Sequence, residues 1–411
     1  MKKITIFIFY IILSIYSLEA VLFLFLQEKN FSKEDVVNKR FELAEKAGIE
    51  FDKRTSYQAF LDLKETNKDL EPKFYYSPIF RFSKIFIDAK KNKKIIPFRG
   101  PINSKTLSCS EEGEYHLDVS DKFGFKNSNS IYEKNINTAV LGDSLAEGNC
   151  QNIKNDIPGH LTKKGFPSLN LGVTGTTVLV ALGIMREFGE TISPNNFIYL
   201  YSEENDLDGL NWSKKDEHLM SYMSDEYSIN YLNRYDEVKN FLKLVSSETF
   251  SYIKLNKDPR NTNVNKKSNL EILKENFVDI LELKKTKSIV RHKIFNKEYI
   301  ETDLELFYSI VKKMNEESKK YNSNFIFVYV PSSLRYFKTP SYALLDQKQQ
   351  IKLKDKILNE IRKMNISVID LTDYFDTVED ISQYYNVGYL GHFNSDGYEK
   401  ISEIISAKLK K

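Results

Sequence analysis

Short apolar runs alternate with helical patterns from about residue 135 to the end of the chain. Near residues 303–320, and again from residue 395 onward, apolar positions recur at spacings of three and four, as in helices with one buried face. Apolar runs that each stop at a turn predict buried strands near residues 136–142, 168–173, 196–202, 324–330 and 366–370. Strands that alternate with helices in this way favour the α/β class, with a parallel, doubly wound sheet.

An almost continuous apolar run covers residues 4 to 26, close to the roughly 20 residues that a transmembrane helix needs. Lys2 and Lys3 precede it, so the positive-inside rule leaves the N-terminus in the cytoplasm and exports the rest to the periplasm or cell surface. Glu19 opposes insertion by about 2.5 to 3.5 kcal/mol, which the surrounding Leu, Ile and Phe can outweigh. A cleaved signal peptide is the alternative, although the run ends without a convincing small-x-small cleavage site. We expect a single-pass membrane protein with an extracytoplasmic domain.

Composition shifts predict four segments. Residues 1–27 form the transmembrane anchor, 28–73 a helical stalk or linker, 74–134 a β-rich lead-in, and 135–411 the α/β domain. Within residues 135–411 we expect a helical insertion at about 207–300. It either shapes a substrate cleft or is a solvent-exposed segment without substrate contact. Short strands are expected in the lead-in at residues 95–98, 114–119 and 122–125.

Charge and cysteine content exclude several classes of function. The chain has 60 basic and 57 acidic residues and a net charge of +3, so it lacks the electrostatic footprint of a nucleic-acid-binding protein. It also lacks zinc-finger or P-loop spacing and a GxGxxG after a strand, and we expect neither metal nor cofactor. Cys109 and Cys150 pair if the compartment is oxidising and stay thiols if it is the cytosol; the predicted export favours the disulfide.

Polar residues follow several predicted strands at their carboxyl ends, the edge where α/β folds bind ligands. Ser144 comes directly after Gly142-Asp143 and is the candidate nucleophile, although a lone Gly-Asp-Ser is more often an ordinary turn. Gly175 offers a backbone N–H, and Asn205 a side-chain amide, for a developing oxyanion. Of the five histidines only His392 follows the last strand and precedes the last helix, which makes it the candidate general base.

Ser144, Gly175, Asn205 and His392, in this order, resemble the residue set of the GDSL or SGNH hydrolase superfamily of esterases, lipases and carbohydrate O-acetylesterases. The resemblance covers about residues 135 to 411. It implies a three-layer α/β/α fold with a flavodoxin-like, five-stranded parallel sheet. It also implies that Ser144 is the nucleophile, with its own N–H, Gly175 and Asn205 as the oxyanion hole, and His392 as the base. The lead-in is similar to that of bacterial membrane-anchored SGNH proteins of uncertain substrate.

The sequence departs from the family pattern at two positions. Glu203 stands where the family usually has a glycine, two residues before Asn205, so the backbone turn there is expected to differ. Tyr389 stands where the family has an aspartate, three residues before His392, which puts a conventional triad in doubt. We therefore predict a Ser-His dyad whose imidazole is oriented by a substitute: a backbone carbonyl, Asp376 or Asp380.

These residues predict metal-free acyl-transfer chemistry. The leading interpretation is a serine esterase or acyl hydrolase that acts on acetyl or short acyl esters of envelope or extracellular carbohydrate. One alternative is an O-acyltransferase of polysaccharide modification, with a sugar hydroxyl as acceptor. A catalytically lapsed carbohydrate-binding or assembly protein is the other. The expected partners are an acylated carbohydrate or other small ester and, through the N-terminal helix, a membrane, with no nucleic acid.

Overall fold

A five-stranded parallel sheet forms the centre of the described structure. The computed structural model describes residues 2–25, 41–75, 97–256, 283, 286, 296–337, 344–386 and 392–410. In chain order the strands are β1 (Phe74–Tyr75), β2 (Arg99–Gly100), β3 (Lys105–Leu107), β4 (Leu117–Val119), β5 (Thr138–Gly142), β6 (Ser168–Asn170), β7 (Asn196–Ser202), β8 (Asn324–Val330) and β9 (Ser367–Asp370). The central sheet has the order β6-β5-β7-β8-β9 with all pairs parallel, which is the flavodoxin-like order. The predicted parallel five-stranded sheet is confirmed.

Helices cover both faces of this sheet. In chain order the helices of the described structure are α1 (Lys2–Phe25), α2 (Ser56–Thr66), α3 (Ser144–Glu147), α4 (Ile157–Lys163), α5 (Val178–Ile192), α6 (Asp206–Ser213), α7 (Glu217–Ser221), α8 (Tyr235–Asn256), α9 (Asn296–Lys320), α10 (Leu344–Lys363), α11 (Thr372–Phe375) and α12 (Ser395–Leu409). Alternate strand side chains enter two separate apolar clusters, as the two-residue period of a strand requires. Tyr199 and Phe327 pack with α5 and α9, whereas Ile198 and Val328 pack with α4 and α12. The result is the three-layer α/β/α arrangement.

The lead-in differs in detail from the sequence prediction. Strand β4 falls within the predicted 114–119 run and pairs antiparallel with β3. Residues 122–125, predicted as a strand, form a turn instead. The Asp121 carboxylate accepts the N–H groups of Phe123 at 2.8 Å and Phe125 at 2.9 Å, and Gly124 takes a positive φ of 90°. Capture of backbone N–H groups by an aspartate competes with strand pairing, and the apolar alternation alone does not reveal it. Residues 95 and 96 lie outside the described residues.

The first part of the predicted insertion packs onto the body of the protein. Residues of α7 and α8, among them Leu219 and Val238, belong to the same apolar cluster as the sheet. Helix α8 also contacts the lead-in: the Tyr235 hydroxyl donates to the Lys122 carbonyl at 2.8 Å. Further along α8, Phe250 meets Phe60 of α2 edge to face. In the described part of the chain, α8 therefore joins the lead-in and α2 to the α/β core.

The N-terminal apolar run folds as the single helix α1. None of the helices among the described residues has the length and apolar character that crossing a membrane requires, so the membrane span predicted for residues 4–26 is unsupported. Glu19, the one carboxylate in that run, is buried and accepts hydrogen bonds from the backbone N–H and hydroxyl of Thr286.

Candidate active site

Ser144 stands at the carboxyl end of β5, at the first position of α3. Gly142 precedes the turn with a φ of 142°, and a Cβ there would lie 2.8 Å from the Leu200 carbonyl oxygen, so the bend needs glycine. The Asp143 carboxylate caps α3 by accepting the Leu145 N–H at 2.9 Å. Ser144 itself is partly exposed. The local sequence therefore presents a serine at the sheet edge where the prediction placed it.

The two other predicted oxyanion donors follow neighbouring strands. Gly175 is exposed in the turn after β6 and has a φ of 71°. Asn205, also exposed, begins α6 after β7. Burial raises the pKa of Asp143, the residue before Ser144. The β6 turn packs directly on α3, since a Cβ at Gly172 would lie 2.2 Å from the Glu147 nitrogen. Ser144, Gly175 and Asn205 thus all follow the carboxyl ends of adjacent strands.

His392 meets a carboxylate, but not one of those that the sequence suggested. Its Nδ1 lies 3.0 Å from Oε2 of Glu111, a residue of the lead-in, and the two side chains are 15% and 10% exposed. Asn386 Nδ2 donates to the same Glu111 oxygen at 3.1 Å and helps to fix it. A carboxylate on Nδ1 holds the imidazole with Nε2 free to accept a proton, which is the orienting role of a triad acid.

Acidic groups surround His392 and affect its titration. Burial disfavours the imidazolium, but the Glu111 carboxylate, supported by Asp143 and Glu204, outweighs it and raises the pKa of His392. Burial also raises the pKa of Glu204 to about 7. Asp143, which contributes to this shift, is the residue before Ser144. In the described structure the Ser144 hydroxyl is not hydrogen-bonded to His392, so direct contact between the two stays a prediction. Such bonds are often long before substrate binds.

The predicted disulfide between Cys109 and Cys150 is present and lies beside this pair. Cys150 Sγ is 4.0 Å from His392 Nδ1, and Glu111 is only two residues beyond Cys109. The Cys150 N–H also donates to the Ser108 hydroxyl at 3.2 Å. The cross-link therefore ties the lead-in segment that carries Glu111 to the loop that follows Ser144 and α3.

Glu147, at the end of α3, connects the nucleophile turn to its surroundings. Its fully buried carboxylate forms ion pairs with Arg99, at 2.8 Å, and with Lys73. It also accepts the N–H and hydroxyl of Thr174, both at 2.7 Å. Burial opposes its charge, but Arg99 and Lys73 hold the pKa of Glu147 well below its usual range. Since Thr174 precedes Gly175, Glu147 fixes the turn of one oxyanion donor against the helix of the nucleophile.

The substitutes proposed for the missing aspartate have other partners. Asp376 accepts the Tyr336 hydroxyl at 2.8 Å, and Asp380 accepts the N–H and hydroxyl of Ser382. Within the described residues neither is bonded to His392. Tyr389 lies outside the described residues.

Glu203 stands where the family pattern has a glycine, and its buried carboxylate connects neighbouring segments through hydrogen bonds and an ion pair. It accepts the Tyr329 hydroxyl at 2.5 Å and the Ser332 N–H at 2.9 Å, and it pairs with Arg335 through both carboxylate oxygens. It joins the ends of β7 and β8. Arg335 is 18% exposed and engaged in this pair.

Sequence reasoning missed Glu111, Glu147 and Glu204. A signal for Glu111 existed: it stands two residues after Cys109, and Cys150, the predicted partner of Cys109, stands six residues after Ser144. The burial of Glu147 and the partial burial of Glu204 depend on tertiary packing, and no local pattern indicated them.

Comparison with known proteins gives similarity only among solved structures. No family model and no curated protein matches the chain. The chain is similar to a protein assigned to the lipolytic G-D-S-L family of Desulfitobacterium hafniense, at 13% identity and a TM-score of 0.34, over 66% of this chain and 99% of the other. A GDSL-like lipase of Bacteroides thetaiotaomicron is 12% identical with a TM-score of 0.34, over 68% and 89%. A Bacteroides fragilis protein assigned as an acylhydrolase is 13% identical with a TM-score of 0.31, over 67% and 86%.

Two of these descriptions name the GDSL group, whose residue set the sequence resembles. At these identities and TM-scores the similarity carries no argument about this chain. The chemistry must come from the residues of this chain.

Proposed function

We propose that this protein is a serine esterase or acyl hydrolase of the SGNH type, with Ser144 as nucleophile, His392 as general base and Glu111 as the carboxylate that orients His392. The single observation that carries the proposal is the 3.0 Å pair between His392 Nδ1 and Glu111 Oε2. It supports a Ser-His-Glu arrangement in place of the predicted Ser-His dyad, whose imidazole was to be oriented by a backbone carbonyl, Asp376 or Asp380.

In the proposed reaction His392 Nε2 takes the Ser144 hydroxyl proton while Oγ attacks the ester carbonyl carbon. The carbonyl electron pair moves to oxygen, where the N–H groups of Ser144 and Gly175 and the Asn205 amide stabilise the oxyanion, each donor contributing about 3 kcal/mol. The C–O bond to the alcohol then breaks, and the alcohol leaves with the proton from His392. Water, deprotonated by His392, then attacks the carbonyl carbon of the acyl-serine; the bond to Ser144 Oγ breaks, Oγ takes the proton back from His392, and the carboxylic acid leaves.

The proposed substrate class is an acetyl or short acyl ester of an envelope or extracellular carbohydrate. The disulfide supports a site outside the cytoplasm, because such bonds persist in oxidising compartments. The partly exposed Ser144 and the exposed Gly175 and Asn205 leave the reacting face accessible to a glycan chain.

The test is labelling by a serine-reactive fluorophosphonate probe, combined with release of p-nitrophenol from p-nitrophenyl acetate and of acetate from acetylated oligosaccharides. Wild type should be labelled and hydrolyse the acetyl ester, and Ser144→Ala should do neither. Ser130→Ala, a change of an exposed serine in the lead-in, is the matched control and should behave as wild type.

Two outcomes would replace the proposal. Transfer of acetyl to an added oligosaccharide in preference to water would identify an O-acyltransferase. Absence of labelling and turnover in wild type, with binding of the same oligosaccharides retained, would favour the non-catalytic binding protein.

A further inference from the structure

Four side chains able to bind a metal lie close together, and one of them is the candidate base His392. The ligand atoms of Cys109, Glu111 and Cys150 all lie within 4.8 Å of one another. His392 Nδ1 joins them, 3.0 Å from Glu111 Oε2 and 4.0 Å from Cys150 Sγ. Two sulfurs, one imidazole nitrogen and one carboxylate oxygen form a donor set suited to tetrahedral zinc.

The spacing of these atoms is close to that of a zinc site. With Zn–S near 2.3 Å and Zn–N and Zn–O near 2.0 to 2.2 Å, the ligand atoms of a tetrahedral site stand about 3.3 to 3.8 Å apart. The Glu111–His392 and Cys150–His392 separations differ from this by only a few tenths of an ångström. The two sulfur atoms, now bonded to each other, would have to move apart.

Reduction is what would make these sulfurs available. A sulfur in a disulfide is not a thiolate, and the thiolate is the metal ligand. A dithiol reductant would give two electrons and two protons to the Cys109–Cys150 bond, which breaks into two thiols while the reductant becomes a disulfide. Binding of Zn²⁺ would then displace both thiol protons to water. Cys150 is fully buried, whereas Cys109 and His392 are partly exposed and give the metal its access.

We propose that the reduced protein binds one Zn²⁺ through Cys109, Cys150, Glu111 and His392, and that this metal site and the hydrolase site exclude each other. Asp143 and Glu204 interact electrostatically with His392 and add negative potential for a cation. The metal would also change the tautomer of His392. With Nδ1 on zinc, the neutral imidazole carries its proton on Nε2 and cannot accept the proton of Ser144. This last step rests on the proposed function; binding of the metal does not.

Cobalt(II) is the probe for the site because its spectrum reports both sulfur ligation and tetrahedral geometry. The full chain is reduced with a phosphine, freed of oxygen and titrated with Co²⁺. We expect one equivalent to produce thiolate-to-cobalt charge transfer and intense visible bands, which one equivalent of Zn²⁺ removes. The oxidised protein should give neither signal.

Variants test the two ligands that are not cysteine. In the reduced state, His392→Ala and Glu111→Gln should each weaken zinc binding at least tenfold, as measured by competition with a chromophoric chelator. His116→Ala, in the same lead-in but outside the cluster, should bind as wild type. Circular dichroism of each reduced variant reports whether the fold is retained.

Three results would overturn the proposal: no charge-transfer band in the reduced chain, more than one equivalent bound, or equal affinity in wild type, His392→Ala and Glu111→Gln. Equal affinity in all three proteins is also the result expected if the thiols of an unfolded chain bound the metal. Because the cobalt spectrum needs no turnover, a chain that binds the metal but hydrolyses nothing refutes only the proposed function. A chain that hydrolyses esters when oxidised but gives no cobalt band when reduced refutes only the metal site.

Discussion

Glu111→Gln is the sharpest perturbation of the proposed site, because it removes one charge and keeps the size of the side chain. At the observed separation of 3.0 Å, two unit charges in an effective dielectric of 20 interact by about 5.5 kcal/mol. That energy corresponds to a rate factor of about 10⁴ if the imidazolium forms fully in the transition state. Asp143 and Glu204 also stabilise the imidazolium and would replace part of the loss. We therefore expect kcat to fall by about 10² to 10⁴, in line with the effect of removing the acid of a serine-protease triad.

The pH profile separates an electrostatic role of Glu111 from a structural one. A general base must be neutral, so kcat/KM rises with pH through the pKa of His392. Glu111 raises that pKa, and its removal should move the acidic limb to lower pH while the plateau falls. A general loss of structure would lower the plateau without moving the limb. The assay is hydrolysis of p-nitrophenyl acetate between about pH 5 and 8, with fluorophosphonate labelling as a count of competent sites.

Glu114→Gln is the matched control, since Glu114 is an exposed glutamate in the same segment. This variant should change kcat by less than threefold and leave the acidic limb of the pH profile at the same pH. If Glu111→Gln behaves in the same way, the pair with His392 has no catalytic role, and Ser144 and His392 would have to act without this carboxylate.

Three further predictions concern residues around this pair. Asn205→Ala should lower kcat by about 10² to 10³ on the same ester with little change in KM, as loss of one oxyanion donor does; an unchanged kcat would remove Asn205 from the site. Tyr389→Asp should change kcat by less than threefold because Glu111 already occupies His392 Nδ1, and a tenfold increase would show that a family-type carboxylate was missing. Glu147→Gln should lower the free energy of unfolding in urea by about 3 to 5 kcal/mol, since it leaves the buried Arg99 without its partner, and a loss below about 1 kcal/mol would contradict that role. Because the folded-state pKa of Glu147 is depressed, its contribution is present above about pH 4.5 and is lost as the pH falls below it.

The sheet could be predicted from the sequence because its strands are buried on both faces. Residues Thr138–Gly142 are all buried, and such strands appear as continuous apolar runs with sharp ends. The lead-in gave no comparable signal. Its strands have only two or three residues, and the turn at residues 122–125 depends on one aspartate that captures backbone N–H groups.

The residues of the candidate site differ in the same way in how far the sequence predicts them. Ser144, Gly175 and Asn205 each follow a strand of the sheet, so the pattern that predicts the strands also finds them. Glu111 stands 281 residues from His392 and belongs to a different part of the chain. Its position depends on the tertiary fold and on the Cys109–Cys150 disulfide, so no local motif predicts it.

The two departures from the family pattern that favoured a non-catalytic protein have structural explanations. Glu203, in place of a glycine, accepts bonds from Tyr329 and Arg335 and joins the ends of two strands at the candidate site. The aspartate that Tyr389 replaces would have served to give His392 a carboxylate, and Glu111 stands at hydrogen-bond distance from that imidazole. A binding protein without catalytic activity would not need a buried carboxylate at His392 Nδ1. Burying a carboxylate costs free energy unless a partner offsets that cost. The Glu111–His392 pair therefore favours a hydrolase whose carboxylate comes from the lead-in over one that has lost it.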